Sequence, residues 1–182
     1  MVKKYPRNWR RTHILVEGGI YHIIARGNNK KPLFSEEVDY LFFKTELNNY
    51  KRKYSSEVLA YCLMTNHYHL LLKSGPQLPR LMHAFSIKYA KYINAKYKST
   101  GHLFEDRYKS FLVADDPYLI TLIRYIHNNP VRAGLVEDPS VYRHSSLVDY
   151  SKGSLKSLTD TNNIRTLFDI NTKNTSIAHV LS

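Results

Sequence analysis

Val58-Leu59-Ala60-Tyr61-Cys62-Leu63-Met64-Thr65-Asn66-His67-Tyr68-His69-Leu70-Leu71-Leu72-Lys73 carries two strands and the turn between them. Val58–Met64 is an apolar run bounded by polar residues, the pattern of a buried strand. Thr65-Asn66 makes a turn, and His67–Lys73 reads as a second strand, so the pair forms a hairpin. Strand side chains alternate. His67 and His69 therefore project from one face, while Tyr68, Leu70 and Leu72 share the other, which suits burial under helices.

Outward from the hairpin, the preceding segment Gly19–Ala25 is rich in β-branched and aromatic residues and reads as a strand, broken by Arg26-Gly27-Asn28-Asn29. Ser35 is a capping candidate, with Glu36 and Glu37 in the first turn of a helix that runs to about Lys53. Leu41, Phe42, Thr45, Leu47 and Tyr50 give that helix an apolar side. Beyond the hairpin, Leu78–Tyr97 has helical spacing and stops at Ser99-Thr100-Gly101. Leu103–Val113 reads as a long strand with Arg107 and Lys109 on one face. Asp115, Asp116 and Pro117 start a further helix, which extends through Tyr125 toward Asn129, ahead of Pro130. This order predicts an α+β chain: a ferredoxin-like antiparallel sheet with helices on one face, plus a C-terminal helix. Residues 1–150 form the domain; 151–182 are a polar extension with one weak helix near Asn163–Asp169.

The 182 residues are 43% hydrophobic, enough for a buried core, and carry a formal net charge of +12. Eight of the Lys and Arg residues against Glu17 alone fall in residues 1–31, which hold +7 of that excess. Such a balance favours a polyanion, because cationic side chains release counterions from phosphates. It does not separate DNA from RNA. Candidate phosphate contacts are Arg7, Arg10, Arg11, Arg26, Lys30, Lys31, Lys88, Lys91, Arg107 and Lys109. The single cysteine, Cys62, excludes an internal disulfide and any multi-cysteine zinc site. Its apolar surroundings make it a buried small residue, and an unpaired thiol fits a reducing cytoplasm. No apolar stretch reaches the length of a membrane span.

Two imidazoles two residues apart on a strand can bind one metal ion, although such a pair is often only polar surface. A third ligand must come from elsewhere. In Arg124-Tyr125-Ile126-His127-Asn128-Asn129-Pro130, Tyr125 and Asn129 are four apart and share a helical face. A carboxamide oxygen suits Mg²⁺ or Mn²⁺. Pro130 biases Asn129 away from helical geometry, and Tyr125 also reads as an ordinary core tyrosine.

Four ordered segments resemble the REP-associated tyrosine transposases, a branch of the single-tyrosine transposases with a His-hydrophobic-His motif. They are Gly18–Asn28, Ala60–Leu71 with the His67/His69 pair, Gly101–Ser110, and Tyr125–Val136, together covering about residues 13–150. Thr65, where the family commonly has proline, and His144, where it often has tryptophan, depart from the pattern. The resemblance implies a nucleophile at Tyr125, metal ligands at His67 and His69, and Asn129 as third ligand to Mg²⁺ or Mn²⁺. It implies a substrate of single-stranded DNA near hairpin-forming palindromes, cut and rejoined through a 5′-phosphotyrosine link, by a monomer or homodimer in the bacterial cytoplasm. A catalytically silent hairpin-binding relative, or a metal-dependent hydrolase using water, are the competing readings. The intact His67, His69 and Tyr125 favour the transposase, and the lack of a nearby acidic ligand argues against the hydrolase.

Overall fold

A computed structural model describes residues 16–152 and 158–160. Arg7, Arg10, Arg11 and the helix expected near Asn163–Asp169 lie outside the described residues.

The hairpin forms where the alternation places it, as β2 (Glu57–Met64) and β3 (His67–Lys73). The first strand, β1 (Ile20–Arg26), pairs antiparallel with β3, and the short β4 (Lys109–Leu112) pairs antiparallel with β1. The resulting order, β2-β3-β1-β4, puts β1 at the centre beside the strand of His67 and His69. This is the ferredoxin-like sheet that the element order predicts.

Two helices, α1 (Glu37–Lys53) and α2 (Leu78–Lys96), cover one face. Tyr68, Leu70 and Leu72 of β3 meet Phe43, Leu47, Phe85 and Tyr89 there in a fully buried cluster. The opposite face is covered by the C-terminal helix α3 (Asp116–His127), followed by the short α4 (Asn129–Arg132) and α5 (Ser146–Lys152). Here Leu71, Ala60 and Cys62 pack against Leu122, Ile123, Ile126 and Leu147. Burial pushes the Cys62 thiol up to about 12, so it is an inert core group.

Three sequence expectations shift. The cap of α1 is Glu36, one residue later than expected, in a reciprocal box with Asp39, whose carboxylate also accepts the Ser35 N–H. The buried side of α1 is Tyr40, Phe43 and Leu47; Leu41 is 59% exposed. The expected strand over Leu103–Val113 shrinks to β4. Phe104 makes only an isolated bridge to Gly27, and residues 105–108 leave the sheet before pairing resumes at Lys109.

His144 fits the position where the resemblance led one to look for tryptophan. Its ring stacks on Tyr40 at 3.6 Å, its carbonyl accepts the Leu63 N–H, and its Nε2 lies 3.5 Å from Glu37. The chain beyond α5 also returns to the sheet. Leu158 is buried, and Asp160 accepts hydrogen bonds from Lys51 and from the Val58 N–H.

Candidate active site

Antiparallel register sets the floor of the site. Ile24 faces His69 and Arg26 faces His67 across the β1–β3 ladder. His67, His69, His22 and Ile24 therefore point to the face that α3 covers. A cleft of about 620 Å³ opens there, lined by Arg26, His67, His69, Arg107, Lys109, Tyr125 and Asn129, with Glu105 and Asp106 on its wall.

The two imidazoles stand nearly perpendicular, ring centres 5.3 Å apart. The Nδ1–H of His67 donates to Asn66 Oδ1 at 2.8 Å, and Asn66 is oriented by donating from Nδ2 to the Lys30 carbonyl. That bond puts the proton of His67 on Nδ1 and leaves a lone pair on Nε2. The backbone fixes the same corner, since the Gly27 N–H donates to the Asn66 carbonyl. A side chain at Gly27 would meet the Lys31 carbonyl at 2.1 Å, so only glycine permits this approach. His69 is buried, and its Nδ1 lies 2.9 Å from Nε2 of His22. Burial drives the His69 pKa well below the ordinary value, with His22 and His67 adding to the effect. Burial lowers His67 as well, helped by the Arg26 charge. Both rings are neutral at physiological pH, the state a metal ligand requires.

Tyr125 and Asn129 come to the cleft from the other side. Asp115 caps α3 by accepting the Tyr118 N–H, and Leu119, Leu122, Ile123 and Ile126 bury one side of the helix. Tyr125, half-buried at the edge of that apolar side, presents its ring edge-on to His69 at 5.8 Å between centres. α3 ends at His127, as Pro130 foreshadows. The Nδ2 of Asn129 donates to the carbonyls of Tyr125 and Ile126, supplying a donor where Pro130 has none. His127 faces away, as its spacing predicts, and bonds Ser146 Oγ at 2.7 Å in the core.

The carboxamide oxygen suits Mg²⁺ or Mn²⁺, the two imidazole nitrogens are softer donors that suit Mn²⁺ better than Mg²⁺, and the orienting bonds on both histidines fit a ligand role. No group of three His, Cys, Asp or Glu side chains suited to a metal occurs among the described residues. An ion here would depend on Asn129 or on oxygens of a bound substrate. Glu105 and Asp106 stand on the cleft wall with His67 and His69, so the expected lack of a nearby acidic residue, and the case it made against a water-using hydrolase, is overturned.

The cationic candidates divide. Arg26, Arg107 and Lys109 line the cleft, and Lys30 and Lys31 sit exposed beside its His67 corner. Lys88 and Lys91 lie on α2, across the sheet from it. Two residues were missed in the sequence. His22 reads there as one more residue of an apolar strand, yet it is the neighbour of His69. Arg132 holds its guanidinium 5.1 Å from the centre of the Tyr125 ring.

A sheet carrying a histidine pair is faced here by a helix that presents a tyrosine. The chain belongs to the IS200-like transposase family, whose model matches residues 15–129, more than half of its length. Among its relatives is a Haemophilus influenzae protein described as a REP-associated tyrosine transposase, 28% identical over 160 residues that cover 76% of this chain and 84% of that one. The fold is similar to a solved REP-associated tyrosine transposase bound to a REP hairpin, with a TM-score of 0.68 at 16% identity, covering 84% of this chain and 93% of the other. Among the described residues no helix is long and apolar enough to cross a membrane.

Proposed function

We propose that this transposase cuts and rejoins single-stranded DNA next to hairpins, with Tyr125 as nucleophile. The observation that carries the reading is the meeting of Tyr125, His67, His69 and Asn129, drawn from three separate elements, in one basic cleft. The phenol oxygen attacks the scissile phosphorus, loses its proton to solvent, and forms a 5′-phosphotyrosine bond. The P–O3′ bond breaks, and the leaving oxygen takes up a proton to become a 3′-hydroxyl. One phosphodiester bond replaces another, so a second 3′-hydroxyl reverses the step and joins strands without ATP.

His67 Nε2, His69 Nε2 and the Asn129 carboxamide oxygen are the atoms to hold a divalent ion. When bound, Mg²⁺ or Mn²⁺ supplies charge stabilisation for the phosphoryl oxygens. Arg107, Lys109 and Arg26 draw the DNA backbone into the cleft, while Arg132 braces the Tyr125 ring through a cation–π contact. The tyrosine and histidines of one chain lie together, which supports a centre assembled within a single copy.

Tyr125→Phe tests the assignment, because it removes the phenol oxygen and keeps the ring. Cleavage of a hairpin-flanked single strand in Mg²⁺ or Mn²⁺ should vanish while DNA binding persists. Continued cleavage would move the nucleophile to another tyrosine. A wild-type protein that binds the hairpin strand and never cuts it would make this a binding protein.

A further inference from the structure

His22 sits at the centre of β1, only 1% exposed, on the face that carries the metal-ligand candidates. Its ring stacks on His69 with centres 5.2 Å apart, and its Nε2 is 2.9 Å from His69 Nδ1. Two neutral imidazoles at that distance share one proton. If His69 donates, its Nε2 keeps a lone pair directed away from His22, toward the cleft. If His22 donates, His69 carries its proton on Nε2 and cannot ligate there without changing tautomer. The hydrogen bond between the rings therefore decides whether His69 can hold a cation.

We infer that His22 is a positioning residue: it accepts the Nδ1–H of His69 and so holds that ring in the tautomer and orientation that bind a divalent cation. The inference rests on the metal-ligand reading of His67 and His69 given above. The other nitrogen of His22 completes the pair. His22 Nδ1 is buried with no hydrogen-bond partner among the described residues. When His22 accepts through Nε2, its own proton sits on that unpartnered nitrogen. Phe111 and Tyr125 border the same ring, so an apolar aromatic would fill the place as well. His67 is served differently, by Asn66. Each ligand thus has its own orienting partner, one from the turn and one from the central strand.

The test uses the whole protein and Mn²⁺ alone. ¹⁵N–¹H correlation spectra of the metal-free wild type should show His69 protonated on Nδ1 and bare on Nε2. Titration calorimetry should give Mn²⁺ binding at least about tenfold weaker in His22→Phe, with the circular dichroism spectrum of the wild type retained. His22→Gln, whose Oε1 can stand in for Nε2 as acceptor, should recover part of that loss. A His69 proton found on Nε2, or equal Mn²⁺ affinity in wild type and a folded His22→Phe, would overturn the inference. If the wild type binds no Mn²⁺, the metal reading of the cleft fails. The ¹⁵N spectrum then still decides which ring accepts, and a donating His22 would overturn the positioning role.

Discussion

Acidification tests two buried histidines, His22 beside the site and His127 in the core behind it. Burial depresses His127 from 6.5 to about 3 and His22 from 6.5 to about 4. Each group binds a proton more readily in the unfolded chain than in the folded one. Their contribution is therefore complete above pH 6.5 and is lost as pH falls toward the folded values. One such proton is worth about 1.4 kcal/mol per pH unit once the unfolded histidine is charged, so the two together give a slope of about 2.7 kcal/mol per unit. Integrated down to about pH 4.5, the loss is roughly 5 kcal/mol, comparable to the whole stability of many domains. His69, pushed the same way, steepens it. Urea unfolding in EDTA at a series of pH values between about 7.5 and 4.5 reads the slope. His127→Phe should remove about 2.7 kcal/mol of the loss, whatever it does to stability at neutral pH. A stability that stays flat across the window would show that these rings protonate in place, and would refute their burial in the neutral form.

Other outcomes follow from the same geometry. Asn129→Ala removes the donor at the Pro130 break together with the cleft oxygen, so it should cost about 1 kcal/mol in urea unfolding and weaken Mn²⁺ binding in calorimetry. Ile123→Ala opens a cavity between α3 and the sheet; a loss of about 2–5 kcal/mol is expected, with slowed cleavage as Tyr125 loses its support. Replacing Arg107 and Lys109 with Ala should flatten the log–log salt dependence of single-stranded DNA binding by up to about 1.4, whereas replacing Lys88 and Lys91 should leave it unchanged.

The hairpin was legible because β2 is an unbroken apolar run, β3 alternates its histidines with buried residues, and the turn between them is short. The alternation of His67, Tyr68 and His69 gave the facing of the pair without any tertiary information. The buried side of α1 was not legible in the same way. Tyr40 and Phe43 bury against Phe34 while Leu41 faces solvent, so tyrosine served the core where leucine was expected to. β4 read too long because Leu103, Phe104 and Tyr108 are apolar for a different reason: they pack against the α1/α2 cluster from a loop. His22 escaped notice because its importance arises from pairing. Only the register that sets Ile24 opposite His69 makes His22 its diagonal neighbour, and that register joins segments about fifty positions apart. Asn129 was found by spacing, but its bonding to the end of α3 depends on the break at Pro130, which spacing alone left open.

The central claim is that Tyr125 forms the covalent bond to DNA. The most direct measurement incubates the protein with a 5′-labelled and a 3′-labelled hairpin-flanked single strand in Mn²⁺, then maps any adduct by peptide mass spectrometry. The account predicts that one cleaved fragment stays on the protein through its 5′-phosphate, attached to the peptide containing Tyr125, while the other is released with a free 3′-hydroxyl. A fragment attached elsewhere, or cleavage that leaves no protein–DNA bond, would contradict it.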